Sequence, residues 1–254
     1  MMAKTINMFG LPFNNCTLQQ AVYMLIEAAE KREKGLVVTP NVDHVVMLQD
    51  DAEMLEVFEK ASFCFADGMP VVWFSKLIGK PLMERVTGAD LLPAIASRAA
   101  ETGVSLFFLG GLEGVAKTAA RVLQARHPNL QVAGTYCPPF GFEHDEKECA
   151  KIVKMVNESG ADILFVGVGA PKQEKWAMRH IDQLNVGPIL GVGAAFDFVA
   201  GNIKRAPFFI QRIGMEWFWR LLSDPKRLWK RYLINDTRFM AIAIRGWRKG
   251  RVKN

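Results

Sequence analysis

No apolar run in the sequence approaches the roughly 20 residues that a membrane-spanning helix needs. The richest stretches, residues 163–170 and 189–200, are broken by glycines or by Asp197 and read as buried strands with their loops. The N-terminus lacks a basic patch followed by an apolar segment, so no signal peptide is expected. Only four cysteines occur (Cys16, Cys64, Cys137, Cys149), none in a CxxC pair. That excludes a disulfide framework and points to reduced, mostly buried thiols in a cytosolic protein. His44 has no second His or Cys at ligand spacing, so no metal centre is expected there. No GxGxxG with a strand-end acid is present, which disfavours a nicotinamide dinucleotide, and no GKS or GKT completes a Walker motif. Internal repeats and low-complexity segments are absent as well.

What is present is ordinary globular material: 254 residues, 50% hydrophobic and 23% charged, enough for one large domain with an appendage. The charge is unevenly placed. Residues 201–254 carry fourteen Lys/Arg against three acids, a net of +11, whereas residues 1–200 carry 18 bases and 23 acids, a net of −5. The same tail holds nine aromatics, four of the six tryptophans among them. A mildly acidic body with a basic, aromatic tail implies an anionic partner for the tail: a lipid surface, nucleic acid or a phosphorylated ligand.

Within the first 200 residues, short apolar runs alternate with helix-length amphipathic stretches. Strands are expected at 36–39, 63–66, 105–109, 130–135, 161–168 and 188–192, with helices at 113–126, 145–159 and 172–184. Continuous apolar strands separated by helices predict an α/β, Rossmann-like, mostly parallel sheet over residues 1–200. Residues 201–254 form the helical appendage, with helices at 206–222 and 225–245 divided at Asp224-Pro225.

In such sheets ligands sit beyond the carboxyl ends of the strands, which directs attention to five loops. In Thr39-Pro40-Asn41, Thr39 and Asn41 either cap the next helix or hydrogen-bond a sugar or phosphate. In Ala66-Asp67-Gly68, Asp67 either caps the following turn or serves as a general base tuned by partial burial. Downstream, Arg85 can pair with Asp67 or meet substrate, and Asp90 can cap a helix. Gly110-Gly111 is compatible with a phosphate near a helix N-terminus. The Gly167-to-Glu174 stretch combines Gly169, which lets backbone approach a ligand, with Lys172 and Gln173 as polar donors. In the last loop Gly193 lies beside Asp197, which either bonds a ribose or uracil or holds the loop together. The acids and His144 of residues 143–146 read as a solvated helix start.

Taken in order, TPN at 39–41, ADG at 66–68, VTGAD at 86–90, FLGG at 108–111, GAPKQE at 169–174, GVG at 191–193 and KRAP at 204–207, followed by Glu216-Trp217, Arg220-Leu221, Pro225 and Arg227, closely resemble the WecG/TagA/CpsF glycosyltransferase family. The resemblance runs from about residue 36 to 232. It implies an inverting, metal-independent transferase with no cofactor. The implied donor is a UDP-sugar, most often of N-acetylmannosamine or its uronic acid; the acceptor is N-acetylglucosamine on a polyprenyl diphosphate. A UDP-glucose-type transferase of exopolysaccharide assembly is the alternative within the family. Carried over by motif, Asp67 is the base, Thr39, Asn41 and Gln173 line the pocket, and Arg220, Arg227 and Arg231 approach the diphosphate. The sequence contains no Asp-x-Asp pair to hold a divalent cation, so cations and helix dipoles must meet the leaving-group charge. The expected location is cytoplasmic, peripheral on an anionic membrane at its inner face. Nucleic acid is not expected as a partner, since it gives Asp67 and the PKQE loop no purpose, and a homo-oligomer remains open.

Overall fold

The computed structural model describes residues 4–207, 210, 216, 218, 219 and 236–251. The chain starts with a hairpin, β1 (Thr5–Met8) and β2 (Leu11–Asn14), and then builds a six-stranded sheet from β3 (Gly35–Val38), β4 (Phe63–Cys64), β5 (Leu106–Gly110), β6 (Val132–Tyr136), β7 (Ile163–Gly167) and β8 (Pro188–Gly191). The order across the sheet is β4-β3-β8-β7-β5-β6, and every pairing is parallel. Strands of this kind are buried on both faces, which is why they appear in the sequence as unbroken apolar runs.

Alternate side chains divide between two cores. Leu106 and Phe108 of β5 and Ile163 and Phe165 of β7 face α1 (Leu18–Glu30), α5 (Gly88–Thr102), α6 (Val115–Arg126) and α9 (Ala195–Ala200). Phe107, Leu109, Leu164 and Val166 face α2 (Val42–Met47), α3 (Ala52–Glu59), α4 (Met69–Leu77), α7 (Glu146–Ser159) and α8 (Lys172–His180). Helix ends follow local chemistry. Thr17 and Gln20 form a capping box on α1, and Asp145 accepts from Lys147 and Glu148 N–H at the start of α7. Gly103 and Gly160 close α5 and α7 in the left-handed conformation. Helix α8 stops at His180, short of the expected 184, although Leu184 is fully buried.

The sheet order explains where a site can form. From β5 the chain crosses outward to β6 through α6, on one face. From its neighbour β7 it crosses the opposite way to β8 through α8, on the other face. The loops at the two strand ends diverge and leave a crevice between them. Backbone closes tightly beneath it: a Cβ added at Gly110 would lie 2.7 Å from the carbonyl carbon and oxygen of Gly167, and Gly110 has φ +111°. Gly110→Ala is therefore expected to cost about 3 kcal/mol of stability, read as a lower urea midpoint at unchanged slope.

Part of the basic tail returns to the body. Helix α10 (Asp236–Arg251) buries Phe239 and Ala243. Phe239 lies 5.5 Å from Phe9 between ring centroids, and Phe9 stacks on Phe74 at 4.5 Å. Phe9 sits at the tip of the hairpin with φ +55°, an uncommon conformation for a bulky residue that these ring contacts help to hold. Arg238 donates to Asp50 at 2.7 Å beside the same contact. Among the described residues no helix is long and apolar enough to cross a membrane. All four cysteines are free thiols, with Cys16, Cys64 and Cys149 buried.

Candidate active site

A cleft of about 920 Å³ opens at the carboxyl edge of the sheet, within the size range of small-molecule sites. Loops after all six strands contribute to it. Thr39, Asn41, Asp67, Gly111, Gly169, Lys172, Gln173, Gly193 and Asp197 all line it. Gly110 and Arg85 do not. Arg220, Arg227 and Arg231 lie outside the described residues.

Asp67 is half-buried where β4 ends, and its N–H donates to the Pro40 carbonyl at 3.1 Å, tying it to the loop after β3. The N-cap of α4 is Gly68, which brings no side chain to that helix end. The neighbouring Asn41 does cap. Its side chain accepts from His44 N–H at 3.2 Å, while its own N–H donates to His44 Nδ1 at 3.1 Å. An Nδ1 that accepts carries no proton, so the neutral imidazole bears its hydrogen on Nε2. Asp43 and His44, both nearly buried, also line the cleft.

Arg85 pairs elsewhere than with Asp67. Its guanidinium contacts Glu216 at 3.0 Å and Asp90 at 3.5 Å, and Arg205 contacts the same two acids at 2.6 Å (Asp90) and 3.4 Å (Glu216). Burial by itself would raise the Asp90 carboxyl, but hydrogen bonding to Arg205 and its charge hold it below the usual carboxylate range. Thr87 caps α5 and donates its hydroxyl to Asp90 at 2.8 Å. The result is a compact cluster of two cations and two acids that ties the KRAP segment to the first turn of α5.

Gln173 lines the cleft yet is only 3% exposed. Its carbonyl oxygen accepts from Gly169 and Gly193 N–H, both at 3.1 Å, and its amide nitrogen donates to Glu174 at 2.7 Å. The side chain joins the β7 loop to the β8 loop. Lys172 projects outward, with Nζ 3.4 Å from Glu143 and 4.6 Å from the centre of the Phe140 ring. At the last loop, the Asp197 carbonyl accepts from Asn202 and Ile203 N–H at 3.0 and 3.3 Å, so this residue holds its loop together as well as facing the cleft.

Glu174 is buried as deeply as Gln173, and burial pushes its carboxyl from 4.5 up to about 7. The folded protein thus retains a proton that the unfolded chain has lost. This contribution to stability is complete below pH 4.5 and disappears as pH rises through about 7. Glu174→Gln removes the titration. The thermal midpoint of the wild type is expected to fall relative to that of the variant between about pH 5 and about pH 8, and parallel curves would remove Glu174 as the source.

One wall was not singled out from the sequence. Residues 137–143, which follow β6, contribute Cys137 to Glu143, with Phe140 at 99% exposure. Residues 144–146 are the solvated helix start expected, with Asp145 capping α7, while Glu143, in the single helical turn Phe142–His144, also faces the cleft. The signal was available: Pro138-Pro139-Phe140-Gly141 follows an expected strand, where the strand-end rule applies. Among the described residues, no group of three or more His, Cys, Asp or Glu converges as a metal site would require.

A parallel sheet covered on both faces, with a cleft at its switch point and a half-buried carboxylate beside a strand end, defines an α/β enzyme with a Rossmann-like core. Residues 6–253 match the model of the glycosyl transferase WecG/TagA/CpsF family, and the chain belongs to that family of glycosyltransferases. Two similar proteins from Staphylococcus aureus, of strains MW2 and NCTC 8325 / PS 47, are both named N-acetylglucosaminyldiphosphoundecaprenol N-acetyl-beta-D-mannosaminyltransferase. Each is 32% identical to this chain over 225 residues, covering 88% of it and 86% of the relative.

Proposed function

We propose that the chain transfers N-acetylmannosamine, or its uronic acid, from a UDP-sugar to N-acetylglucosamine on a polyprenyl diphosphate, with inversion and without a divalent ion. The names of the staphylococcal relatives support the transferred sugar and the acceptor. The observation that carries the reading is that Asp67 lines the same cleft as Gly111, Gly169 and Gly193. That brings a carboxylate and the loops suited to a nucleotide diphosphate into one space.

An acceptor hydroxyl is a weak nucleophile near neutral pH. As its oxygen attacks the anomeric carbon from the face opposite UDP, Asp67 takes its proton. The bond from that carbon to the diphosphate oxygen breaks, and UDP departs with the electron pair. Negative charge grows on the departing diphosphate and needs cations: Lys172 at the cleft wall, then Arg220, Arg227 and Arg231 from the tail. The +11 tail suits an anionic membrane surface at about 1 kcal/mol per basic residue, and Met240 and Ile244 on α10 add exposed apolar side chains.

The test is a panel of UDP-sugars offered with a synthetic prenyl-diphosphate-linked N-acetylglucosamine acceptor, with and without EDTA, measuring UDP release. UDP-N-acetylmannosamine, or its uronic acid, is expected to turn over, and EDTA is expected to change nothing. Turnover of UDP-glucose alone overturns the assigned sugar. Loss of activity in EDTA, restored by Mg²⁺ or Mn²⁺, overturns the metal-free step.

A further inference from the structure

We propose that Glu174 is a positioning residue: it fixes the orientation of the Gln173 carboxamide, and through it the spacing of the two glycine loops that floor the cleft. Gln173 has one arrangement in which every polar contact is complementary. Its oxygen faces two N–H donors, at Gly169 and Gly193, and its NH₂ faces the Glu174 carboxylate at 2.7 Å. Turned over, the amide would set NH₂ against two N–H donors and, with Glu174 ionised, oxygen against oxygen. Glu174 supplies the contact that selects the first arrangement.

The surroundings are shaped for this pair. A Cβ at Gly191 would stand 2.8 Å from Gln173 Nε2 and 3.0 Å from Glu174 Oε1, so only glycine lets the pair lie against β8. At Gly169 and Gly193, by contrast, an added Cβ would meet nothing within 4 Å, while both have positive φ (+87° and +52°). Gly191 thus makes room for the clamp, and Gly169 and Gly193 are the residues it holds. The second carboxylate oxygen of Glu174 is buried with no hydrogen-bond partner among the described residues. A carboxyl kept in that setting is costly as a packing element, since an apolar side chain of similar length would fill the space without an orphaned oxygen. Orienting Gln173 supplies a reason for an acceptor at this position.

The consequence for turnover rests on the reading of the cleft as the donor-nucleotide site, but the clamp itself is tested separately. Backbone amide exchange is followed by NMR on the full chain for the wild type, Glu174→Met and Glu174→Gln. In the wild type, Gly169 and Gly193 are expected to exchange at least about tenfold slower than open-loop amides. Glu174→Met, which replaces the carboxyl oxygens by a thioether that accepts only weakly, is expected to speed both by about tenfold while β5 amides stay protected. Glu174→Gln, whose carboxamide oxygen can still accept, is expected to remain within about threefold of the wild type. The donor KM is expected to rise about tenfold in Glu174→Met, with the acceptor KM unchanged and the Gln variant near normal. Open-loop exchange of the two glycines in the wild type overturns the clamp, and this measurement needs no variant to fold. Protection that persists in a folded Glu174→Met overturns it equally. If exchange behaves as expected but no UDP-sugar turns over, the functional reading fails and the clamp stands.

Discussion

Replacing Asp67 by Asn is expected to lower turnover by on the order of 10³-fold while leaving UDP affinity within about threefold. The amide keeps the size of the carboxylate and leaves the backbone bond to the Pro40 carbonyl untouched, but it cannot accept a proton from the acceptor hydroxyl. The defect should appear in kcat far more than in the donor KM, because the group acts on the attacking alcohol in the transition state. Stopped-flow turnover together with calorimetric UDP titration separates the two quantities. Turnover within about tenfold of the wild type would assign the base elsewhere, with Asp43, on the same wall, the next group to examine.

Arg220→Ala combined with Arg227→Ala is expected to reduce kcat by on the order of 10²-fold or more, the scale seen when a preorganised charge-stabilising donor is lost. Both lie in sequence beyond the sheet strands, which end at Gly191, so the thermal midpoint is expected to stay within a few degrees of the wild type. The same arginines also help attract an anionic surface. Assays are therefore run with a short-chain acceptor in detergent and again with vesicles of defined anionic content. A loss in vesicles alone would assign the arginines to the membrane; a loss in both assigns them to the departing diphosphate. Arg→Lys at either position should recover part of the activity, because the charge survives although the bidentate geometry does not.

The sheet was legible because strands such as β5 and β7 are buried on both faces and so contain no polar residue to obscure them. The hairpin, α1, α3, α4 and α9 are not identified, and α2 and α5 enter only as possible caps at Asn41 and Asp90. They are short or locally ambiguous, and their places depend on contacts far along the chain. The loops at the strand ends were legible for the same reason the strands were, since the parallel topology assigns function to one edge. What the loops do was less visible. Asn41 was open between capping and binding; it caps α2 and still reaches the cleft. Gln173 suggested a donor offered to substrate, but its carboxamide is engaged by two glycines and a buried acid that sequence spacing does not bring together. Arg85 could be placed near Asp67 by proximity in the motif order. Only the folded chain brings Glu216 to it, across 131 positions.

The cluster of Arg85, Asp90, Arg205 and Glu216 at one end and the seat of Phe239 on Phe9 at the other fasten a single stretch of chain to the body at two separate points. Arg220, Arg227 and Arg231 fall between those anchorages, so covalent connectivity confines them to the neighbourhood of the protein. Loosening either anchorage lengthens the tether and lowers the concentration of those cations near the body, even where every arginine is retained. A substitution at Phe239, which has no place in the chemistry, can thereby slow the reaction.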